Sequence, residues 1–137
     1  MNKNSIELKK FLKEIEKERT SHSSIIHCTP EKWCKIKSYP DYLISSWGRV
    51  ISLKYKSPRL MNGSKTNYHR IILCNNDTKN HVYVHRLVGI YFVKGRTKLK
   101  CEINHLDGNP LNNYYKNVEW CTPKYNSNHK QNILIEK

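Results

Sequence analysis

Asn104-His105-Leu106-Asp107-Gly108-Asn109-Pro110-Leu111-Asn112-Asn113 is followed closely by Asn117-Val118-Glu119-Trp120-Cys121-Thr122 and then Asn126. A histidine beside an amide closes a short apolar segment. Asp and Asn side chains bond their own backbone and Gly tolerates positive φ, so residues 107–110 predict a tight loop. Val118 and Trp120 fall on one face of a returning strand. Thr122 is a good N-cap and Pro123 a good first helical residue, which predicts a helix from that point. With Ile103 facing inward, Asn104 and His105 stand at the exit of the first strand. The order strand, loop, strand, helix predicts a finger in which His105 and Asn126, one turn into the helix, are brought face to face. His129, three residues beyond Asn126, lies on nearly the same helix face.

Working outward, Cys101-Glu102-Ile103 begins the finger after a basic linker at Lys94 to Lys100. Before the linker, His85-Arg86-Leu87-Val88-Gly89-Ile90-Tyr91-Phe92 predicts a short helix with Leu87, Val88, Tyr91 and Phe92 toward the core. His85 at its start reads as a hydrogen-bonded structural histidine in preference to a catalytic one.

From Glu31 onward short apolar runs are separated by Gly, Pro, Asn and Ser, the pattern of a small antiparallel sheet. Trp33, Ile36, Tyr39, Tyr42 and Ile44 lead to the turn Ser46-Trp47-Gly48-Arg49, and Val50 to Leu53 resume the pattern. Tyr68 to Leu73 and His81 to Val84 predict a further hairpin around a loop at Asn75 to Asn80. Lys54, Lys56, Arg59, Lys65, His69 and Arg70 are interspersed with Tyr55 and Tyr68. Such a ribbon suits a groove, with cations on phosphates and tyrosines packing on sugars. At the start of the chain, Leu8, Phe11, Leu12 and Ile15 fall at helical spacing, and Asn4 with Glu7 makes a capping-box-like start. Asn4 to Arg19 is therefore read as a helix and Ser21 to Ser24 as a linker. This helix is an appendage that docks on the body or on a second copy.

With 137 residues the chain suits one domain with an ordinary core. Lys and Arg total 25 against 11 acidic residues, a formal charge of +14, and nearly all of the excess falls beyond Ser24. A field of that sign on a compact body favours polyanions, nucleic acid first. No apolar run approaches a membrane span and no signal-peptide core follows Met1, so a soluble intracellular protein with no membrane partner is expected. Cys28, Cys34, Cys74, Cys101 and Cys121 are scattered and never two residues apart. That spacing argues against a disulfide framework and a zinc ribbon; no structural zinc is expected.

From about Glu31 to Asn128 the chain resembles the HNH endonucleases of the phage and intron-encoded homing type. Their N-terminal DNA-binding module has a signature similar to Trp33 to Ser52, here Trp-x2-Ile-x2-Tyr-x2-Tyr-x-Ile-Ser-x2-Gly-Arg-Val-x-Ser. A second block is similar to His85-Arg86-Leu87-Val88. A third is similar to Asn104-His105-Leu106-Asp107-Gly108-Asn109 through Asn112-Asn113, Asn117, Trp120 and Asn126. Several spaced blocks in order are far more specific than any one of them.

The resemblance implies an α+β fold: a small antiparallel sheet module followed by a ββα-metal finger, with an extra N-terminal helix. The expected division is 1–24 for the helix and linker, 25–80 for the basic DNA-binding module and 81–137 for the nuclease module. It also implies hydrolysis of double-stranded DNA by a viral or phage-type protein acting in a host cell. Carried over by position, His105 is the general base, and Asn104 and Asn126 are ligands of one Mg²⁺ or Mn²⁺ ion. His129 is a further candidate ligand or phosphate contact. Asn117 is the middle asparagine that ties the loop, with Asp107 and His85 as further finger-stabilising residues. Arg49, Lys54, Lys56, Arg59, Lys65, Arg70 and Lys124 are the expected DNA contacts.

Two departures from the family pattern stand out. Asn104 supplies a neutral amide where relatives carry Asp, so weak metal binding completed by the scissile phosphate is expected. The chain also stops at Lys137 without the C-terminal helix-turn-helix of many homing relatives, which predicts a shorter or looser target site. A single finger cuts one strand per binding event, so a monomer would nick; monomer and homodimer both remain open. The alternative to the nuclease is a DNA-binding protein with a catalytically degenerate finger.

Overall fold

A computed structural model describes residues 3–22 and 29–136, with side chains over 5–16 and 29–130. The fold is α+β. Strands β1 (Trp33–Ile36), β2 (Tyr39–Ser45), β3 (Val50–Ser52) and β4 (Arg59–Met61) form one antiparallel sheet in sequential order. Alternation along β2 and β3 explains its two apolar faces. Tyr42, Ile44 and Val50 face the main core, whereas Leu43 and Ile51 face the other way. Helix α1 (Lys3–His22) covers that second face, laying Leu8, Phe11, Leu12 and Ile15 against Leu43 and Ile51. The N-terminal helix thus docks on the body of its own chain. It begins at Lys3, which puts Asn4 inside the helix, not at its cap. It also runs through His22, past the start of the expected linker, of which Ser23 and Ser24 lie outside the described residues.

A second sheet holds β5 (Ser64–Lys65), β6 (His69–Asn75) and β7 (Thr78–Tyr83). The expected loop at Asn75 to Asn80 is instead a tight turn. Asn75 pairs with Thr78 and Asn76 adopts φ +54°. Polar Thr78, Lys79 and Asn80 belong to the strand because β7 is an edge, paired on one side only and half-exposed. In β6, His69, Ile71 and Leu73 point inward while Arg70 and Ile72 point out. His69 is therefore buried, with Nε2 at 2.7 Å from the Asn62 carbonyl, and does not join the exposed cations with which it was grouped.

Helix α2 (Val84–Phe92) follows β7 directly, and β8 (Glu102–His105), β9 (Val118–Cys121) and α3 (Pro123–Glu136) complete the chain. Val84, Leu87 and Val88 of α2 join Ile71 and Leu73 of β6 with Ile103, Val118 and Trp120 of the β8–β9 ribbon. One core therefore runs from the four-stranded sheet through α2 into the finger. Trp120 closes the end of α2, its Nε1 donating to the carbonyls of Gly89 and Val93, each at 3.2 Å. That approach requires a bare backbone at Gly89. A Cβ there would lie 2.5 Å from Ile103 Cδ1 and 2.9 Å from Trp120 Cζ2. Cys34, Cys74, Cys101 and Cys121 are free thiols, buried or half-buried.

Candidate functional site

The loop between β8 and β9 is held by its own amides and one carboxylate. Asp107 Oδ1 accepts from the Asn109 backbone at 2.8 Å and from Asn117 Nδ2 at 2.9 Å, and its Oδ2 accepts from Asn112 Nδ2 at 2.8 Å. Asn117 also donates to the Asn112 carbonyl at 2.8 Å and accepts from the Asp107 backbone at 3.1 Å. Burial acts to raise the Asp107 pKa, but the donors from Asn112, Asn109 and Asn117 outweigh it and hold the carboxyl below its usual range. Gly108, at φ +75°, donates to the His105 carbonyl at 3.0 Å and turns the chain back. This short-range chemistry fixes where β8 ends, and hence where Asn104 and His105 stand.

The β8–β9 ribbon has two faces, and the site residues divide between them. Cross-strand pairing joins Glu102 to Cys121 and Asn104 to Glu119. Asn104 Nδ2 donates to Glu119 Oε1 at 2.9 Å. From α3, Asn126 Nδ2 donates to Glu102 Oε2 at 2.9 Å and weakly to the Ile103 carbonyl at 3.4 Å. Burial, with Glu119 and Glu102 adding to it, pushes the Cys121 thiol up to about 11, which makes it inert. Helix α3 is placed by the expected cap: Thr122 Oγ1 accepts from the Tyr125 backbone at 3.2 Å. Asn104 and Asn126 are thus each bonded to a glutamate of the ribbon, and both are almost fully buried.

His105 lies on the α2 side. Its ring packs edge-on against His85 at 5.3 Å and lies 6.3 Å from Tyr68, and its Nε2 sits 2.8 Å from Asn113 Oδ1. His105 makes its contacts with His85, Tyr68 and Asn113, whereas Asn126 is bonded to Glu102 and the Ile103 carbonyl. The period of two along a strand forces adjacent Asn104 and His105 apart. Burial pushes the His105 pKa below its ordinary value; Asn113 and Asp107 oppose that shift and Lys130 adds to it. Lys130 of α3 reaches round to Tyr68, with Nζ donating to the hydroxyl at 3.3 Å, and so links the helix to the His105 side.

His85 stacks on Tyr83 at 5.4 Å and touches Tyr68 at 5.3 Å, while its Nδ1 is buried without a hydrogen bond. Burial lowers its pKa to about 3, with His105, Arg86 and Lys130 adding positive charge nearby. The imidazole is neutral beside His105. His129 stacks on Tyr125 at 6.3 Å, its Nδ1 also buried and unbonded.

Among the described residues no three His, Cys, Asp or Glu side chains gather as a metal cluster. The candidate ligand oxygens at the α3 side of the ribbon are those of side-chain amides. Asn126 Oδ1 is buried and meets no donor, although buried polar atoms are nearly always satisfied. Its nitrogen is held by a carboxylate, as is that of Asn104, so both amides are oriented by a negative group behind them. Hard oxygen donors backed by negative charge fit Mg²⁺ or Mn²⁺ and not a thiolate metal. Sequence reasoning missed Glu102 and Glu119. Their places in the strands signalled them, because residues two apart share a face.

Of the expected DNA contacts, Lys54, Lys56, Arg59, Lys65, Arg70 and Lys124 are exposed. Arg59 stacks on Tyr55 at 4.1 Å and Lys54 lies 5.7 Å from the Tyr42 ring. Arg49 differs. It makes a bidentate pair with Glu31, which is 8% exposed, and lies between the Trp33 and Trp47 rings. Its charge is engaged inside the fold because β1 and the β2–β3 turn converge there.

Residues 82–128 match the HNH endonuclease family. The chain is 39% identical over 99 residues to the uncharacterized HNH endonuclease L245 of Acanthamoeba polyphaga mimivirus, covering 72% of this chain and 29% of that protein. It is 36% identical over 96 residues to the DNA endonuclease I-HmuI of Bacillus phage SP01, covering 69% of this chain and 55% of that protein. A solved structure of DNA binding and cleavage by the HNH homing endonuclease I-HmuI superposes with a TM-score of 0.65 at 34% identity, over 74% of this chain and 58% of that one. The chain thus spans little more than half of the phage relative and under a third of the mimivirus one. No described helix is long and apolar enough to cross a membrane.

Proposed function

We propose that this chain, whose residues 82–128 form an HNH endonuclease module, is a divalent-metal-dependent endonuclease of double-stranded DNA. The observation that carries the reading is the buried, unbonded Oδ1 of Asn126, beside the strand end that bears Asn104 and His105. Asn104 and Asn126 hold one Mg²⁺ or Mn²⁺ ion through their side-chain oxygens. The cation, when bound, supplies positive charge for the phosphoryl oxygens and the departing 3′ oxygen. His105 takes a proton from the water that attacks phosphorus; an oxygen–phosphorus bond forms as the bond to the 3′ oxygen breaks. Its lowered pKa keeps the imidazole neutral and able to accept at physiological pH. Asn117 and Asp107 hold the loop that places it. Exposed Lys54, Lys56, Arg59, Lys65, Arg70 and Lys124 contact the phosphate backbone. A single finger of this kind nicks one strand per binding event.

The test is incubation of purified protein with supercoiled plasmid in Mg²⁺ or Mn²⁺, followed by mapping of the ends. His105→Ala should abolish cutting while leaving duplex affinity nearly intact. Cutting by that variant at the parent's rate would remove His105 from the role of base.

A further inference from the structure

We infer that Asn113 is a positioning residue for His105, and that the Ser46–Gly48 turn of the N-terminal sheet holds Asn113 in place. The sheet module would then complete the nuclease centre as well as carry it to DNA. The inference rests on the reading of His105 as the base.

The first observation is the bond itself. His105 Nε2 and Asn113 Oδ1 lie 2.8 Å apart, with the two residues 7% and 3% exposed. An amide oxygen accepts, so the proton sits on Nε2 and the lone pair on Nδ1. Nδ1 makes no hydrogen bond and, unlike the corresponding atom of His85, is not sealed from the surface. Only this tautomer leaves an open nitrogen that can receive a proton. An amide turned the other way would donate to Nε2, place the proton on Nδ1 and leave nothing to accept.

The second observation is what holds the amide. Asn113 Nδ2 is buried without a partner, so beyond the bond to His105 no second hydrogen bond fixes the side chain. Close packing does. Gly48, at φ +82°, lies so near that a Cβ there would stand 2.7 Å from Asn113 Cβ and 3.2 Å from its carbonyl oxygen. Two residues further on, the Tyr115 N–H donates to the Ser46 carbonyl at 2.9 Å. The turn between β2 and β3 therefore pins the chain at Asn113 and two residues beyond it, and any side chain at residue 48 would push Asn113 away from His105.

The tautomer of His105 can be read by ¹⁵N NMR of the full chain at one neutral pH, alongside plasmid nicking in Mn²⁺ and duplex affinity without metal. The parent should show protonated Nε2. Asn113→Ala should give a mixture of tautomers and lower kcat about 10- to 100-fold, part of the roughly 10²–10⁴ that a general base supplies, with KM and duplex affinity unchanged. Asn113→Asp keeps an acceptor oxygen and should restore the tautomer and much of the rate. Gly48→Ala should shift the tautomer in the same direction as Asn113→Ala. A parent protonated on Nδ1 would overturn the inference, and so would an Asn113→Ala enzyme with unchanged tautomer and kcat. Should Asn113→Ala fail to fold, the parent spectrum and the near-isosteric Asp variant still decide. Full cutting by His105→Ala would instead overturn the nuclease reading, whatever tautomer the parent shows.

Discussion

Asn126 gives its amide nitrogen to Glu102 at 2.9 Å while its carbonyl oxygen, equally buried, meets no donor. A carboxylate behind a neutral ligand orients it and adds negative charge that the amide lacks, the same division of labour seen around many metal sites. Glu119 stands in the same relation to Asn104. In the proposed metal centre the two glutamates would offset the charge that amide ligands lack.

Asn126→Ala should raise the Mn²⁺ concentration needed for half-maximal nicking by about tenfold or more, and weaken Mn²⁺ binding measured by calorimetry on the protein–duplex complex. Affinity for duplex without metal should hold. Equal Mn²⁺ binding by parent and variant would remove Asn126 from the ligand set.

Stability should fall on mild acidification because of His85. Its folded pKa, about 3, lies below the ordinary 6.5, so between those values the unfolded chain binds more protons. The stabilisation is complete above pH 6.5 and is lost as pH falls through the window, on the order of 2 kcal/mol by pH 5. Urea melts at pH 7 and pH 5 measure it. Replacing His85 by Phe should flatten the dependence, and an equally steep parent and variant would assign it elsewhere.

Gly89→Ala adds a methyl where α2 meets Ile103 and Trp120, with 2.5 Å and 2.9 Å available. Either the ribbon shifts or Trp120 loses its bonds to the end of α2. A destabilisation of about 1–3 kcal/mol is expected, typical of overpacking, read from the midpoint of chemical denaturation. A stabilised variant would mean that helix propensity outweighs the contact.

Arginine 49 and arginine 59 should behave differently when truncated. Arg59→Ala removes an exposed cation, so duplex affinity should weaken alike for all sequences and the salt slope should fall by about 0.9. Arg49→Ala leaves Glu31 buried without its partner and should cost about 1–3 kcal/mol of stability. Denaturation and salt-dependent binding of both variants separate the roles; a salt-slope change in Arg49→Ala without loss of stability would reverse them.

The amino-acid sequence by itself determined what depends on neighbours along the chain. The Asp107 to Pro110 turn chemistry, the Thr122–Pro123 start of α3, the apolar stripe Leu8, Phe11, Leu12 and Ile15, and the excess of positive charge are all local or additive, and each was legible before any coordinates. Only the tertiary structure decided which faces meet: α1 on Leu43 and Ile51, Arg49 on Glu31, His85 against His105, Glu102 behind Asn126 and Gly48 against Asn113. The physical reason is that a turn or a cap is closed by groups a few bonds apart. A buried pair is instead selected by the packing of whole strands and helices, where one residue's shift in register exchanges the two faces of a ribbon.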